Sequence, residues 1–134
     1  MQALDLSAGS RTVLAEHTFG TVDLFLFSAV SWHPHRIHFD ADYARDVEGH
    51  PGLLVHGPLQ AVRLFQELDA ALPDTMRLAG CTYRHTSPLY VDVPARFVVE
   101  VAAAGTDLTE LTAWVERVDD GTQTTVGSAR LQRV

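Results

Sequence analysis

A single cysteine, Cys81, stands in the whole chain, so no intrachain disulfide is possible and a reducing compartment is the expectation. In a segment that reads as a strand, a lone cysteine is expected to be a small buried apolar residue and not a reactive thiol. Basic residues are also scarce: ten Lys+Arg against seventeen Asp+Glu give a formal net charge of −7. That balance argues against a nucleic-acid or anionic-membrane surface, where a basic face is needed. No apolar run approaches the roughly 20 residues of a spanning helix. The opening MQALDLSAGSRTV lacks the charged-then-apolar pattern of a secretory leader. The expectation is therefore a soluble, cytoplasmic protein. GxGxxG, the P-loop, the GxSxG elbow and CxxC are absent, as are internal repeats, linkers and low-complexity tracts. What is present is globular in kind. Hydrophobic residues at 46% and charged residues at 20% over 134 positions suit one domain, 1–134, with a core of its own.

Along the chain, Thr12–His17 suggests a short strand. Val22–Trp32 (VDLFLFSAVSW) predicts a strand from its Phe, Val and Leu content and partial alternation. Pro34 ends it and pushes His33 toward an extended conformation. Asp40 is placed to cap a short helix over Ala41–Glu48, with Gly49 as its stop. A longer helix opens near His56-Gly57-Pro58, with proline at its start, and runs to about Leu72. Ala61, Val62, Phe65, Leu68 and Leu72 form its apolar stripe, widened by Leu59 and Leu64. Gln60, Arg63, Glu67 and Asp69 face away. From Thr75 onward the pattern is β: Met76–Thr86, Ala95–Ala102, Leu108–Val118 and Thr122–Val134. Phe97, Val99 and Val101 alternate with Arg96, Val98 and Glu100, and Asp119-Asp120-Gly121 signals a hairpin. The class is α+β: an antiparallel sheet wrapped around one dominant helix.

Titratable groups gather in one stretch. Ser31–Leu59 holds five of the seven histidines, three of the six prolines and three of the nine glycines. An irregular segment of this kind between two core elements is where sites are built.

This order and these residues resemble the hotdog fold, and within it the MaoC-like hydratases and dehydratases. The mesaconyl/itaconyl-CoA hydratase and 3-hydroxyacyl-thioester dehydratase branch is the most similar. The resemblance is carried by Phe27-Ser28-Ala29, His35-Arg36-Ile37-His38-Phe39-Asp40, Tyr43-Ala44, Val47-Glu48-Gly49, Pro51-Gly52-Leu53 and Val55-His56-Gly57-Pro58-Leu59. Members often carry two hotdog units in one polypeptide, and this motif resembles that of the catalytic unit. One unit in 134 residues implies a homodimer or pairing with a second hotdog subunit. The family pairs a carboxylate, or Asn in this branch, with a histidine five residues later. Here the histidine is His38 and the partner position holds His33.

Hydrating a 2-enoyl thioester, or dehydrating a 3-hydroxyacyl one, needs a group that moves protons and donors that stabilise the thioester oxygen. His38 suits the first, because imidazole titrates near neutrality. His33 is its auxiliary, holding water or tuning His38. The Gly57 N–H, at the open start of the long helix, is the oxyanion donor. No Cβ there blocks the thioester. Arg36 is a candidate for a CoA or carrier phosphate. His56, through its backbone more than its ring, shapes the turn, and Asp40 serves as a helix cap. Pro51 and Gly52 come with the motif as substrate-binding candidates. Arg84, with His85, occupies a position that lines the thioester channel in the family. No metal or redox cofactor is implied; CoA or phosphopantetheine arrives as part of the substrate.

Three rivals stay open. His33-x-His35-x-x-His38 supplies three imidazoles, enough for a zinc site with an open position. A hotdog thioesterase would need a carboxylate near the start of the long helix, and the best candidate, Glu67, lies far along it. A non-catalytic thioester-binding or scaffolding subunit of a hetero-oligomer would explain the change at His33.

Overall fold

A computed structural model describes residues 3–134. Strand β1 (Arg11–His17) is followed by helix α1 (Thr21–Ser31), a 3-10 turn (Arg36–His38), helix α2 (Ala41–Asp46) and helix α3 (Gly57–Ala71). Strands β2 (Met76–His85), β3 (Ala95–Ala104), β4 (Leu108–Arg117) and β5 (Gln123–Arg133) complete the chain. They form one antiparallel sheet in the order β1-β3-β4-β5-β2, with α3 packed across one face. This is the α+β hotdog arrangement expected from the motif.

The register explains the core. Phe97, Val99 and Val101 of β3, Leu111, Ala113 and Val115 of β4, and Ala129 and Leu131 of β5 face α3, which buries Ala61, Leu64, Phe65 and Leu68 against them. Leu64 and Leu68 are wholly removed from solvent, worth about 1.5–3 kcal/mol each. Gly121 takes the left-handed conformation (φ 70°) in the β4–β5 turn, as the Asp-Asp-Gly signal requires.

Four expectations are corrected. Val22–Trp32 is not a strand but helix α1. Asp23 accepts the Gly20 N–H at 2.8 Å at its start, and Trp32, left-handed at φ 51°, ends it. Only Leu24 and Ser28 of α1 are buried, while Val22, Phe25, Leu26 and Val30 are exposed. A helix apolar on all sides shows no 3.6-residue stripe, and its β-branched and aromatic content imitates a strand. Gln60 faces the core, not solvent. It is fully buried, accepting from Thr124 Oγ1 (2.6 Å) and Thr125 Oγ1 (3.0 Å) and donating to the Val55 carbonyl (3.2 Å). Val62, placed in the apolar stripe, is exposed instead. Cys81 is exposed as well, because β2 is an edge strand whose residues from Cys81 to His85 are all exposed.

Candidate active site

Leu53–Val55 is the platform on which the site is assembled. Its backbone pairs with the segment before β3 through Val55 N–H to Leu89 O (2.8 Å) and Val91 N–H to Leu53 O (2.9 Å). Leu54 N–H reaches Ile37 O of the 3-10 turn at 3.0 Å. That clamp brings the 3-10 turn beside the start of α3. The turn is held in its own right by Asp40, which caps α2 by accepting from the Tyr43 N–H (3.0 Å) and accepts from Arg36 (2.8 and 3.1 Å).

His38 projects from the turn and is buried. Its Nδ1 lies 2.7 Å from the Leu54 carbonyl oxygen. A carbonyl can only accept, so Nδ1 carries the proton and Nε2 keeps its lone pair for chemistry. The ring is stacked on that of His56, centroids 3.7 Å apart and planes 16° from parallel. The His33 ring stands edge-on to both, 5.0 Å from His38 and 5.4 Å from His56. His56 Nε2 is 2.8 Å from the Ser28 hydroxyl of α1.

Burial is the largest influence on His38 and holds its pKa below the ordinary 6.5; the Leu54 bond opposes this, and His33, His35 and His85 add to it. His56 is pushed down to about 3, by burial first and then by His38 and His33. Two charged rings at the stacking distance would repel by about 4 kcal/mol at an effective dielectric near 20, so the stacked pair carries at most one positive charge. His85, exposed overall on its edge strand, is also lowered, by the partial burial of its ring against the start of α3.

The start of α3 leaves donors open. Its first i−4 bond is Gln60 N–H to His56 O (3.1 Å), Pro58 has no N–H, and the His56 side chain caps nothing. The Gly57 and Leu59 N–H groups therefore have no acceptor within the helix. A Cβ on Gly57 would lie 3.2–3.3 Å from the Cβ, Cγ and Nδ1 of His85. The absent side chain thus also makes room for β2.

The structure brings together His33, His38, His56 and Gly57, sets His85, expected on the channel beside Arg84, against Gly57, and adds Ser28. It does not gather the rest. Arg36 is engaged by Asp40 and lies 4.4 Å over the Tyr43 ring. Pro51 and Gly52 sit in the turn after α2. Arg84 points away from α3, since its neighbour His85 points toward Gly57; it lies on the outer sheet face among Thr82, Thr112 and Trp114. His56 brings both its backbone, at the start of α3, and its ring, stacked on that of His38, to the site. The sequence reading placed Ser28 only within the Phe27-Ser28-Ala29 motif, without a role of its own; its bond to His56 needed the packing of α1 against the start of α3 to be known. Among the described residues no group of three His, Cys, Asp or Glu side chains is arranged to hold a metal ion.

The site is flanked by apolar space. A hollow of about 300 Å³ lies beside His33, lined by Ser28, Ala29, Trp32 and Pro34. A groove of about 270 Å³ runs between α1 and α3 past Phe27, Leu59 and Val62.

Residues 5–91 match the family model of hydroxyacyl-thioester dehydratase type 2. The chain is 41% identical over 102 residues to the mesaconyl-C(4)-CoA hydratase of Chloroflexus aurantiacus, covering 69% of this chain and 35% of that protein. It is 36% identical over 55 residues to the mitochondrial hydroxyacyl-thioester dehydratase type 2 of Saccharomyces cerevisiae, covering 41% and 19%. The chain thus spans about a third or less of the length of the curated relatives it matches. In fold it is similar to an unliganded (R)-hydratase from Pseudomonas aeruginosa, with TM-score 0.83, 24% identity and 96% of this chain and 82% of that one covered. It is also similar to a chain of the ChsH1-ChsH2 complex from Mycobacterium tuberculosis, with TM-score 0.79, 12% identity and 95% and 98% covered.

Proposed function

The chain belongs to the hydroxyacyl-thioester dehydratase type 2 family, and from that premise we propose that it is a hydro-lyase of acyl thioesters. The observation that carries the reading is the locked His38 ring: Nδ1 is tied to the Leu54 carbonyl and Nε2 is free beside the open start of α3. In the hydration direction, His38 Nε2 takes a proton from water and the resulting hydroxide bonds to C3 of the enoyl thioester. The electron pair of the C2–C3 double bond moves into the thioester, whose oxygen is held as an enolate by the Gly57 N–H. The imidazolium then returns its proton to C2. Dehydration runs the same steps backward. His33 orients the water. Electrons balance without an oxidant or reductant, so the cycle needs no redox group; CoA or a carrier phosphopantetheine belongs to the substrate. The apolar hollow beside His33 suits an acyl chain.

Assembly with a second hotdog subunit, of the same or another chain, completes this reading. Two features favour it: the exposed edge strand β2 and the exposed apolar face of α1, with Phe25 61%, Val30 83% and Trp32 91% exposed. Surfaces of that kind are characteristic of interfaces.

The test is loss of the enoyl-thioester absorbance band, with crotonyl-CoA and a small panel of homologues, with and without EDTA. Turnover that survives EDTA and disappears in His38→Ala supports the reading. Turnover that persists in His38→Ala removes His38 from it, and turnover abolished by EDTA revives a metal site. A second reading, a non-catalytic thioester-binding subunit, is favoured by one observation: His33 stands where the family places a carboxylate or Asn. An inert wild type that gains activity as His33→Asp or His33→Asn would establish that reading, whereas activity lost in those variants would mark His33 as adapted.

A further inference from the structure

His56 departs from local rules at three points. N-cap positions favour Ser, Thr, Asp or Asn, because a side-chain oxygen can take a free N–H of the first turn. His56 holds that position at the start of α3 and its ring caps nothing. The residue is 1% exposed, yet its Nδ1 has no hydrogen-bond partner among the described residues. It lies face to face on another imidazole, that of His38. Local stability forgone at three points beside a reactive group is a mark of function.

One hydrogen bond holds the ring in this pose. Ser28, buried on the inner side of α1, meets His56 Nε2 at 2.8 Å, while Phe27 presses against the ring with centroids 4.8 Å apart. His38, for its part, has one hydrogen-bonded anchor, the Leu54 carbonyl on Nδ1. A single anchor leaves a ring free to swing about it, and the His56 face removes that freedom.

We propose that Ser28 and His56 are a positioning pair: Ser28 sets the rotation of the His56 ring, and that ring sets the plane in which His38 presents Nε2 to substrate. The kinetic part of this inference rests on the hydro-lyase reading. The pair also decides which ring carries the proton. His38 must gain one in each cycle, and a neutral His56 lets it do so without a second cation against its face. The titratable groups that face His38 are all imidazoles: His33 after α1, His35 at the head of the 3-10 turn, His56 at the start of α3 and His85 on β2.

The test is Ser28→Ala with Ser28→Thr as its conservative companion, read by kinetics and by NMR titration of isotope-labelled histidines. Ser28→Ala should lower kcat about tenfold with KM held within about twofold. His38 should titrate nearer its ordinary pKa as water reaches the loosened stack. Ser28→Thr, which keeps the hydroxyl, should recover both. The inference is overturned if Ser28→Ala leaves kcat and the His38 titration at wild-type values. It is overturned as well if Ser28→Thr is as impaired as Ser28→Ala and both lose thermal stability, since that is packing alone. NMR reads His38 without turnover. A wild type inert on every thioester would therefore overturn the hydro-lyase reading, while the titration would still decide the positioning role.

Discussion

Gly57→Ala separates two reasons for having a glycine at the start of α3. One is close approach of the thioester to the Gly57 N–H; the other is room for His85. The backbone there is not left-handed, so alanine brings no conformational strain. The added Cβ would sit 3.2 Å from His85 Cβ and 3.3 Å from its Cγ and Nδ1, so the histidine must retreat by a few tenths of an ångström. Overpacking of that size costs about 1–3 kcal/mol, toward the low end because His85 is exposed on an edge strand. Alanine in place of glycine returns about 0.5–1 kcal/mol. Tm should therefore fall by no more than about 5 °C. Activity should suffer more: an oxyanion donor is worth roughly 10²- to 10³-fold in kcat, and a displaced donor should cost at least about tenfold. The control is Gly57→Ala combined with His85→Ala, measured against His85→Ala alone by differential scanning calorimetry and initial rates. Removing the His85 ring relieves the 3.3 Å contacts with Cγ and Nδ1 while the Cβ contact stays, so Tm should recover in part, without recovery of kcat. If kcat returns with Tm, the glycine serves β2 and not the thioester. If Gly57→Ala alone keeps kcat within about twofold of wild type, the oxyanion assignment is refuted.

Protonation should couple the site to stability. His38, His56 and His85 are depressed in the folded chain, so below their ordinary 6.5 the unfolded state binds more protons than the folded one, and stability falls as pH drops from about 6.5 toward about 3. Urea midpoints measured across that window should decline with acid, and His56→Phe should flatten the slope; a wild-type midpoint unchanged from pH 6.5 to 4 would contradict it. Gln60→Leu should cost about 2–3 kcal/mol, near 10 °C in Tm, by leaving Thr125 Oγ1 and the Val55 carbonyl unpaired. Thr124 keeps its longer bond to the Val115 carbonyl at 3.3 Å. A change under about 2 °C would show the Gln60 network to be dispensable.

Strands β3 and β4 were legible because alternate residues, Phe97, Val99 and Val101 and then Leu111, Ala113 and Val115, are buried against α3, and a period of two follows from that alone. Helix α3 was legible for the matching reason, its stripe of Ala61, Phe65 and Leu68. Helix α1 was not, because its composition answers to a surface beyond itself. The exposed Val22, Phe25, Leu26 and Val30 look alike from inside one chain whether they lie on a strand or a helix. Gln60 was misplaced because polarity stood in for exposure. Its burial rests on two threonines more than sixty residues away, which no local pattern reveals. Cys81 failed for a related reason: burial on β2 depends on whether the strand is central or at the edge, a property of sheet order. At the site, the motif already set His38 and Gly57 in one short stretch, and the Leu54 clamp is what brings their elements side by side. The Ser28–His56 bond spans 28 residues and joins two elements whose packing had first to be known.

On the proposed hydro-lyase reading, an imidazole at position 33, where the resemblance implies a carboxylate or Asn, bears on the chemistry in a definite direction. A carboxylate beside His38 would favour its charged form and raise its pKa, whereas an imidazole there opposes that charge and lowers it. The site thus gives up basicity for availability. More of His38 is neutral and ready at neutral pH, yet each neutral ring pulls less strongly on the proton of water. In the reverse direction the same shift makes the imidazolium a stronger acid, better able to protonate a departing hydroxyl. On that reading, stabilisation of the developing negative charge falls to fixed dipoles, since the titratable groups facing His38 are all imidazoles, and the free N–H dipoles of the site are those at the start of α3. For the proposed hydro-lyase, His33 in the place of a carboxylate and reliance on the Gly57 N–H are two sides of one arrangement: the fewer the charges in the site, the more of the barrier the helix terminus must remove.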